Sequence, residues 1–171
     1  MCGVFLVYDN SLGLHLTQKI KALNSFQHRG PDNTDYIQYE KIFIGHHRLS
    51  IRDLSINSNQ PKFSKNKKFI ISYNGEIYNT NELLKELSFE KKLIENYNSD
   101  TEILANYISQ FGINRTLKDI KGMFAFVCVD IVNKKIYACR DPFGEKPLYV
   151  YGKNKNFIFS SDLSSFSKLN I

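Results

Sequence analysis

The stretch MFAFVCV, residues 123–129, is the part of the sequence that best indicates the fold class. Alternate side chains of a strand point to opposite faces, and in this stretch both faces are apolar. The two faces hold Phe124, Phe126 and Cys128 on one side and Ala125, Val127 and Val129 on the other. Such a strand belongs to a sheet covered on both sides, so the sequence predicts a layered α+β domain.

The segments around this stretch extend the predicted sheet structure. Residues 136–139 pair with it as a hairpin across Asn133 and Lys134. Short apolar runs bounded by turn residues predict further strands at residues 3–8, 35–38, 42–46, 69–73, 148–151 and 157–160. We therefore expect sheets stacked at the centre of one domain.

Helices are predicted between these strands. Apolar residues at helical spacing and capping residues predict helices at residues 14–26, at residues 80–87 and, more weakly, from Asp162. Asn79 stands where the second of these helices needs an N-cap, with Glu82 three residues on. Another helix follows the capping box that begins at Ser99, and Gly112 is its predicted end.

The composition suits one compact domain and excludes several classes of protein. The chain has 171 residues, of which 42% are hydrophobic, enough to fill one core. Its longest apolar stretches are far shorter than the ~20 residues of a membrane-spanning helix, and no signal-peptide pattern is seen, so we expect a cytoplasmic protein without membrane contact. The net charge is +6, but the dense basic run at residues 62–68 is typical of a solvated loop, so no nucleic-acid partner is expected.

Cys2 is the first candidate for chemistry. Three cysteines without a CxxC pair indicate neither a disulfide framework nor a zinc site, and Cys128 and Cys139 fit the core of apolar strands. Cys2 instead follows Met1, whose removal would give it a free α-amine beside its thiol. That amine, with an ordinary pKa of ~7.7–8, can act as the general base for the thiol nucleophile. We expect protein that retains Met1 to be inactive.

Four polar clusters elsewhere in the chain suit neither a core nor an ordinary surface. They are His28-Arg29-Gly30-Pro31-Asp32, Arg48-Leu49-Ser50-Ile51, Asn74-Gly75-Glu76 and Ser99-Asp100. Each also has a purely structural interpretation, since Gly-Pro and Asn-Gly are common turn signals and Ser-Asp commonly starts a helix. On that pattern the sequence predicts a tight turn at Asn74-Gly75-Glu76, after the strand at residues 69–73.

Together with Cys2, these clusters resemble the class II glutamine amidotransferase domain of the N-terminal-nucleophile hydrolase superfamily, in its asparagine synthetase branch. The matching motifs follow in order along the chain: MCGVF, QHRGPD, GHHRLSI, Gln60-Pro61, YNGEIYN, NSDTE, GMFAFVCVD and RDPFGEKPLYVYG. The resemblance implies that residues 1–171 form one such domain. It also implies a four-layer αββα sandwich, with two stacked, mainly antiparallel sheets flanked by helices.

The resemblance implies hydrolysis of L-glutamine through a γ-glutamyl thioester on Cys2. Asn74 and Gly75 are then the catalytic donors to the oxyanion, which suits an amide side chain and a backbone N–H without a Cβ. The substrate-binding residues are Arg48 for the α-carboxylate, Asp100 with Glu76 for the α-ammonium group, the loop Leu49, Ser50, Ile51 and Arg52, and Asn74 and Gly75 themselves.

Two histidine motifs have no catalytic part in this interpretation. His28 and Arg29 are expected to support the site from behind. His46 and His47 are neighbours on a strand and point to opposite faces, so they do not form a metal pair. No metal or cofactor is expected for the glutaminase reaction. ATP and Mg are expected only in a synthetase domain, which we expect to be absent because the 171 residues hold no SGGxDS-like phosphate loop.

The ammonia acceptor is left open by the sequence. We expect an ATP-dependent synthetase domain or subunit as partner, with asparagine made from aspartate, and a homodimer is possible from the sequence. One alternative is the same glutaminase serving another acceptor, such as a polysaccharide-precursor carboxylate. Another is a non-catalytic docking module that binds glutamine without cleaving it. The segment 140–147 is interpreted as a structural or interfacial turn.

Overall fold

Two antiparallel β-sheets form the centre of the structure, a computed structural model that describes residues 1–50, 56–91, 97 and 99–171. The first sheet has five strands in the order β2-β3-β1-β9-β8. Their bounds are β1 Gly3–Tyr8, β2 Asn33–Tyr39, β3 Ile42–Arg48, β8 Tyr149–Lys153 and β9 Asn156–Ser160. The first strand of the chain is therefore the central strand of this sheet, paired on both edges.

The second sheet has four strands in the order β4-β5-β6-β7. Their bounds are β4 Lys62–Phe63, β5 Phe69–Ile77, β6 Gly122–Asp130 and β7 Lys135–Arg140. The predicted hairpin is confirmed as β6 and β7. The basic run predicted to be a loop contributes the two-residue strand β4, and its side chains from Lys65 to Lys68 are exposed, as expected of a loop.

Helices cover the outer face of each sheet. On the first sheet lie α1 Leu16–Asn24 and α5 Ser164–Lys168, and on the second lie α2 Thr80–Lys91, α3 Asp100–Phe111 and α4 Ile113–Asp119. Among the described residues no helix is long and apolar enough to span a membrane. The four layers of the predicted αββα sandwich are confirmed.

The alternation predicted for residues 123–129 explains how the layers are joined. Phe126 and Cys128 of β6 pack into the cluster beneath the helices α2 and α3. Val127 and Val129 pack between the two sheets. Burial of apolar area on both faces holds the strand in place, at roughly 25 cal/mol per Å² removed from water. β1 follows the same rule, and Cys2 is therefore attached to a rigid strand.

The start of α3 confirms Ser99 as the predicted N-cap. Ser99 Oγ accepts a hydrogen bond of 3.3 Å from the backbone N–H of Glu102, which satisfies one of the unpaired amides of the first helical turn. Gly112 ends the helix with φ of +78°, a left-handed value that favours glycine. This cap fixes Asp100 as the first residue of the helix.

The predicted turn at Asn74-Gly75-Glu76 is wrong. All three residues lie in β5 and pair with β6, Gly75 opposite Phe124. A Cβ at Gly75 would lie 2.3 Å from the backbone oxygen of Met123, so glycine is needed here for the close approach of a neighbouring strand. Asn-Gly commonly forms a turn, but here pairing with β6, which lies far along the chain, keeps these residues in an extended strand.

Candidate active site

A cleft of about 390 Å³ opens at the end of the sandwich where β1 begins. It is lined by every predicted site residue within the described ranges: Cys2, Arg48, Leu49, Ser50, Asn74, Gly75, Glu76 and Asp100. Ile51 and Arg52, also predicted to line the site, lie outside the described residues. Residues from both sheets and from α3 thus meet in one place.

The register of the first sheet brings Cys2 beside the end of β3. Gly3 pairs with His47, so the residue before β1 lies next to the residues that follow β3. The backbone N–H of Leu49 donates to Cys2 Sγ at 3.4 Å, and the thiol lies 3.7 Å from the Leu49 carbonyl oxygen. Arg29 Nε donates to the Cys2 carbonyl oxygen at 3.3 Å. Hydrogen bonds from neighbouring residues therefore hold both the backbone and the sulfur of Cys2, the candidate nucleophile.

The electrostatic surroundings of the Cys2 sulfur disfavour its charged, thiolate form. Burial raises the pKa of the Cys2 thiol above its ordinary value. The hydrogen bond from Leu49 and the positive charges of the chain terminus and Arg48 oppose this effect on the pKa. Since the net shift is upward, a base close to the sulfur is needed to form the thiolate.

Arg48 and the loop after it are anchored on both sides. Arg48 is buried, and its Nη1 donates to Asn59 Oδ1 at 2.7 Å. The backbone N–H of Ser50 donates to Asp32 Oδ2 at 2.7 Å. These contacts hold the guanidinium and the start of the loop 49–52 against the cleft, and they give Asp32 of the QHRGPD motif a positioning part.

The edge of β5 presents its backbone to the same cleft. Phe124, opposite Gly75, directs its N–H and C=O away from β5 and toward Asp141. The N–H groups of Tyr73 and Ile77 point to the other edge, where they meet Gln60 Oε1 and Asp100 Oδ2. Every second N–H of a strand points the same way, so the N–H of Gly75 faces the cleft between them.

The Asn74 side chain lies on the face of β5 that is turned toward the first sheet, and it lines the same cleft as Gly75. Ser72, two residues earlier and on the same face, bonds His46 of β3, so the Asn74 side chain also faces the first sheet. Its Nδ2 is fully buried and, within the described ranges, no group accepts a hydrogen bond from it. A buried amide N–H without an acceptor costs about 1–3 kcal/mol. Because Asn74 lines the cleft, this unsatisfied donor lies in the cleft wall.

Asp100 provides negative charge on the wall formed by α3. Its Oδ2 accepts from Tyr73 Oη at 2.9 Å, and its Oδ1 accepts from the Thr101 N–H at 2.9 Å. Burial and the nearby carboxylate hold the pKa of Tyr73 well above its ordinary value, so the phenol stays a neutral donor. The cleft thus carries a cation at Arg48 and an anion at Asp100, both held by neighbouring groups.

His46 and His47 point to opposite faces of β3, as predicted. His46 Nδ1 is 3.0 Å from Ser72 Oγ between the sheets, whereas His47 Nε2 is 2.7 Å from the Leu23 carbonyl on the helical side. His28 lies outside the cleft, 3.7 Å from Asp162. Across the described residues no three metal-ligating side chains come together.

Two residues of the site had no assigned part in the sequence analysis. Tyr73 was interpreted only as the end of a strand, and Gln60 only as part of a motif. Both line the cleft and bond to its other members. Their spacing from Asn74 and Asp100 gives no local signal, because the contacts depend on how β4, β5 and α3 meet.

Comparison with known proteins identifies the class. A family model for the glutamine amidotransferase domain matches residues 1–171. The chain belongs to this family, in its class II, N-terminal-nucleophile form. Within it the chain is of the asparagine synthetase type, since it is similar to curated glutamine-hydrolysing asparagine synthetases from a bacterium, a plant and a virus.

Three of these relatives show how much is shared. Asparagine synthetase 1 of Bacillus subtilis (strain 168) is 37% identical over 169 residues, which are 96% of this chain and 26% of the relative. Asparagine synthetase 2 of Oryza sativa subsp. japonica is 33% identical over 171 residues, which are 98% of this chain and 28% of the relative. The probable asparagine synthetase of Acanthamoeba polyphaga mimivirus is 36% identical over an alignment of 174 residues, which covers 96% of this chain and 30% of the relative. The chain spans less than a third of the length of these relatives.

Solved structures support the fold. The glutamine phosphoribosylpyrophosphate amidotransferase of B. subtilis, complexed with ADP and GMP, matches with a TM-score of 0.78 and 22% identity, over 99% of this chain and 44% of that one. A structure described as the allosteric regulatory enzyme of purine biosynthesis matches with a TM-score of 0.81 and 20% identity, over 99% and 43%. At these identities the match shows the shared sandwich alone.

Proposed function

We propose that residues 1–171 hydrolyse L-glutamine to glutamate and ammonia through a γ-glutamyl thioester on Cys2. One observation carries the proposal: Asn74, whose buried Nδ2 has no acceptor among the described residues, lines the same cleft as Cys2. Among the described residues that donor has no structural use, and stabilising an oxyanion is the use its position supports.

The first half of the reaction forms the thioester. After removal of Met1, the α-amine of Cys2 takes the proton from its own thiol, and the thiolate attacks the γ-carbonyl carbon of glutamine. The tetrahedral oxyanion accepts hydrogen bonds from Asn74 Nδ2 and from the Gly75 N–H. Collapse breaks the C–N bond, and the α-ammonium group returns its proton to the departing nitrogen, which leaves as ammonia.

The second half regenerates the enzyme. The α-amine, now neutral, takes a proton from a water molecule that attacks the thioester carbonyl carbon. The same two donors stabilise the second oxyanion. Collapse breaks the C–S bond, releases glutamate and returns the proton to sulfur. No redox partner or metal is needed for this balance.

The charged groups of the cleft supply selectivity for an α-amino acid. Arg48 is a bidentate donor suited to the α-carboxylate, and Asp100, with Glu76 of β5, suits the α-ammonium group. Simple amides lack both charges and would form neither of these ion pairs. Leu49, Ser50, Ile51 and Arg52 complete the substrate-binding set as a prediction.

The rest of the pathway is also part of the proposal. The relatives are asparagine synthetases of which this chain covers less than a third, which supports a synthetase domain or subunit as the receiver of ammonia. ATP and Mg would act there, with aspartate as the acceptor. A cytoplasmic location and a homodimer stay predictions.

The test is covalent labelling with 6-diazo-5-oxo-norleucine, followed by intact-protein mass spectrometry. We expect one adduct on Met1-free protein, protection by L-glutamine, and no adduct on the Cys2→Ala variant. Absence of an adduct on folded, processed protein would contradict catalysis and leave the glutamine-binding docking module as the function.

A further inference from the structure

The side chain of Gln60 is a buried amide whose N–H groups and oxygen are all bonded. Gln60 is 6% exposed and lines the cleft. Its Oε1 accepts from the Tyr73 N–H at 2.7 Å, and its Nε2 donates to the Tyr73 carbonyl oxygen at 3.1 Å. The second Nε2 hydrogen is directed to Thr101 Oγ1, at 3.2 Å.

This side chain continues the ladder between β4 and β5 where the backbone stops. β4 pairs Lys62 with Ile71, and Pro61, the residue before it, has no N–H to donate. Tyr73 lies two residues beyond Ile71 on the same edge of β5. Gln60 gives Tyr73 both bonds that a paired strand residue would give it.

The bond to Thr101 extends the same amide to α3. Thr101 follows Asp100, and its N–H donates to the Asp100 carboxylate. Tyr73, held by Gln60 through its backbone, donates to that carboxylate through its phenol. Tyr73 also precedes Asn74 in the chain. One side chain therefore links the strand of the oxyanion donors to the helix of the ammonium-binding carboxylate.

We propose that Gln60 is a positioning residue that sets Asn74 and Gly75 at the correct distance from Asp100, so that the γ-amide and α-ammonium groups of glutamine are held together. This inference rests on the proposed glutaminase function. Gln60 acts through Tyr73 and Thr101 and takes no proton. Its effect is on ligands that carry both groups at once.

The test compares two electrophiles at Cys2. 6-Diazo-5-oxo-norleucine carries the α-amino acid group, whereas iodoacetamide does not, and peptide mapping separates Cys2 from Cys128 and Cys139. Misplacing reacting groups by about 1 Å costs on the order of 10²-fold in rate. We expect Gln60→Ala to slow labelling by the amino acid analogue by up to that factor and to leave the iodoacetamide rate at Cys2 unchanged.

Asn106→Ala is the matched control. Asn106 is another buried amide that ties α3 to the segment after β4, since its Oδ1 accepts from the Lys65 N–H and its Nδ2 donates to the Glu102 carbonyl oxygen. It does not line the cleft. We expect this variant to keep the wild-type ratio of the two labelling rates, even if its melting temperature falls.

The outcomes separate the inference from the function beneath it. If wild-type protein is not labelled by the analogue, the glutaminase function fails. If wild-type protein is labelled and Gln60→Ala keeps its ratio of rates, the positioning inference fails. Should Gln60→Ala not fold, Thr101→Val removes a single bond at nearly constant volume. A reduced ratio for that variant supports the inference, and an unchanged ratio overturns it.

Discussion

The phenol of Tyr73 donates a 2.9 Å hydrogen bond to the carboxylate of Asp100. The two residues come from different layers, Tyr73 from β5 and Asp100 from the first turn of α3. Because the phenol stays neutral, it orients the Asp100 carboxylate by a hydrogen bond and leaves the negative charge of that carboxylate available to a cation. The site thus depends on the junction between a strand and a helix as well as on its charged groups.

Removing this phenol should weaken substrate binding more than chemistry. A hydrogen bond to a charged group contributes about 1.5–3 kcal/mol, so we expect Tyr73→Phe to raise KM for glutamine by roughly tenfold or more. The value of kcat should change much less, since the oxyanion donors are untouched. Steady-state glutaminase assays measure both constants. A fall in kcat at constant KM would show that Tyr73 acts on the reacting groups.

Asn74 should be needed for rate and dispensable for stability. Loss of one oxyanion donor typically costs 10²–10³ in kcat, which we expect for Asn74→Ala in the same assay. The Nδ2 group has no acceptor among the described residues, so its removal also relieves an unsatisfied buried donor. We therefore expect a thermal midpoint no lower than that of the wild type. A clear loss of stability would indicate that the amide has a structural partner.

The raised pKa of the Cys2 thiol predicts the pH dependence of its alkylation. In Met1-bearing protein, the iodoacetamide rate at Cys2 should reach half its maximum at a higher pH than in a free MCGVF peptide. The reason is that burial disfavours the charged thiolate. Peptide mapping across a pH series gives both curves. A midpoint below that of the peptide would mean that the thiolate forms without help from the amine.

His46 should make the protein sensitive to acid. Burial is the main cause that lowers the pKa of His46 to about 3 from an ordinary value of 6.5. Between these two pH values His46 is protonated in the unfolded chain and neutral in the folded protein. The contribution of neutral His46 to the free energy of unfolding is therefore complete above pH 6.5 and is lost as the pH falls toward 3. The slope for one proton is about 1.4 kcal/mol per pH unit.

Denaturant titrations at several pH values measure this slope. We expect His46→Gln to flatten the dependence between pH 6 and pH 4, since glutamine can still donate to Ser72 and does not titrate. His28→Gln is the control, because that side chain is 69% exposed. Equal slopes for the wild type and His46→Gln would remove His46 as the cause.

The fold was largely predictable because its strands are apolar on both faces. The alternation in β6 and the N-cap of α3 are local patterns, and the structure confirms both. α4 was missed because Gly112 correctly ends one helix, and the short segment after it has little pattern of its own. Tertiary packing, rather than propensity, makes that helix.

Side chains that bond across elements were harder to predict. Asn79 stands at the N-cap position of α2, as expected, and its carbonyl accepts from the Leu83 N–H. Its side chain, however, bonds the backbone of Asp119, the last residue of α4, and of Lys121, which follows that helix. The part played by Gln60 depends in the same way on elements distant in sequence. Motif order located the site, but only the assembled layers show which groups orient it.

The central position of β1 reverses the usual behaviour of a chain end. Terminal residues ordinarily fray, yet here the strand that follows Cys2 is bonded on both edges and covered on both faces. Met1 itself lines the cleft. An affinity tag fused ahead of it would stand at the cleft and keep the Cys2 nitrogen in a peptide bond, so production of active protein calls for a tag placed elsewhere in the chain.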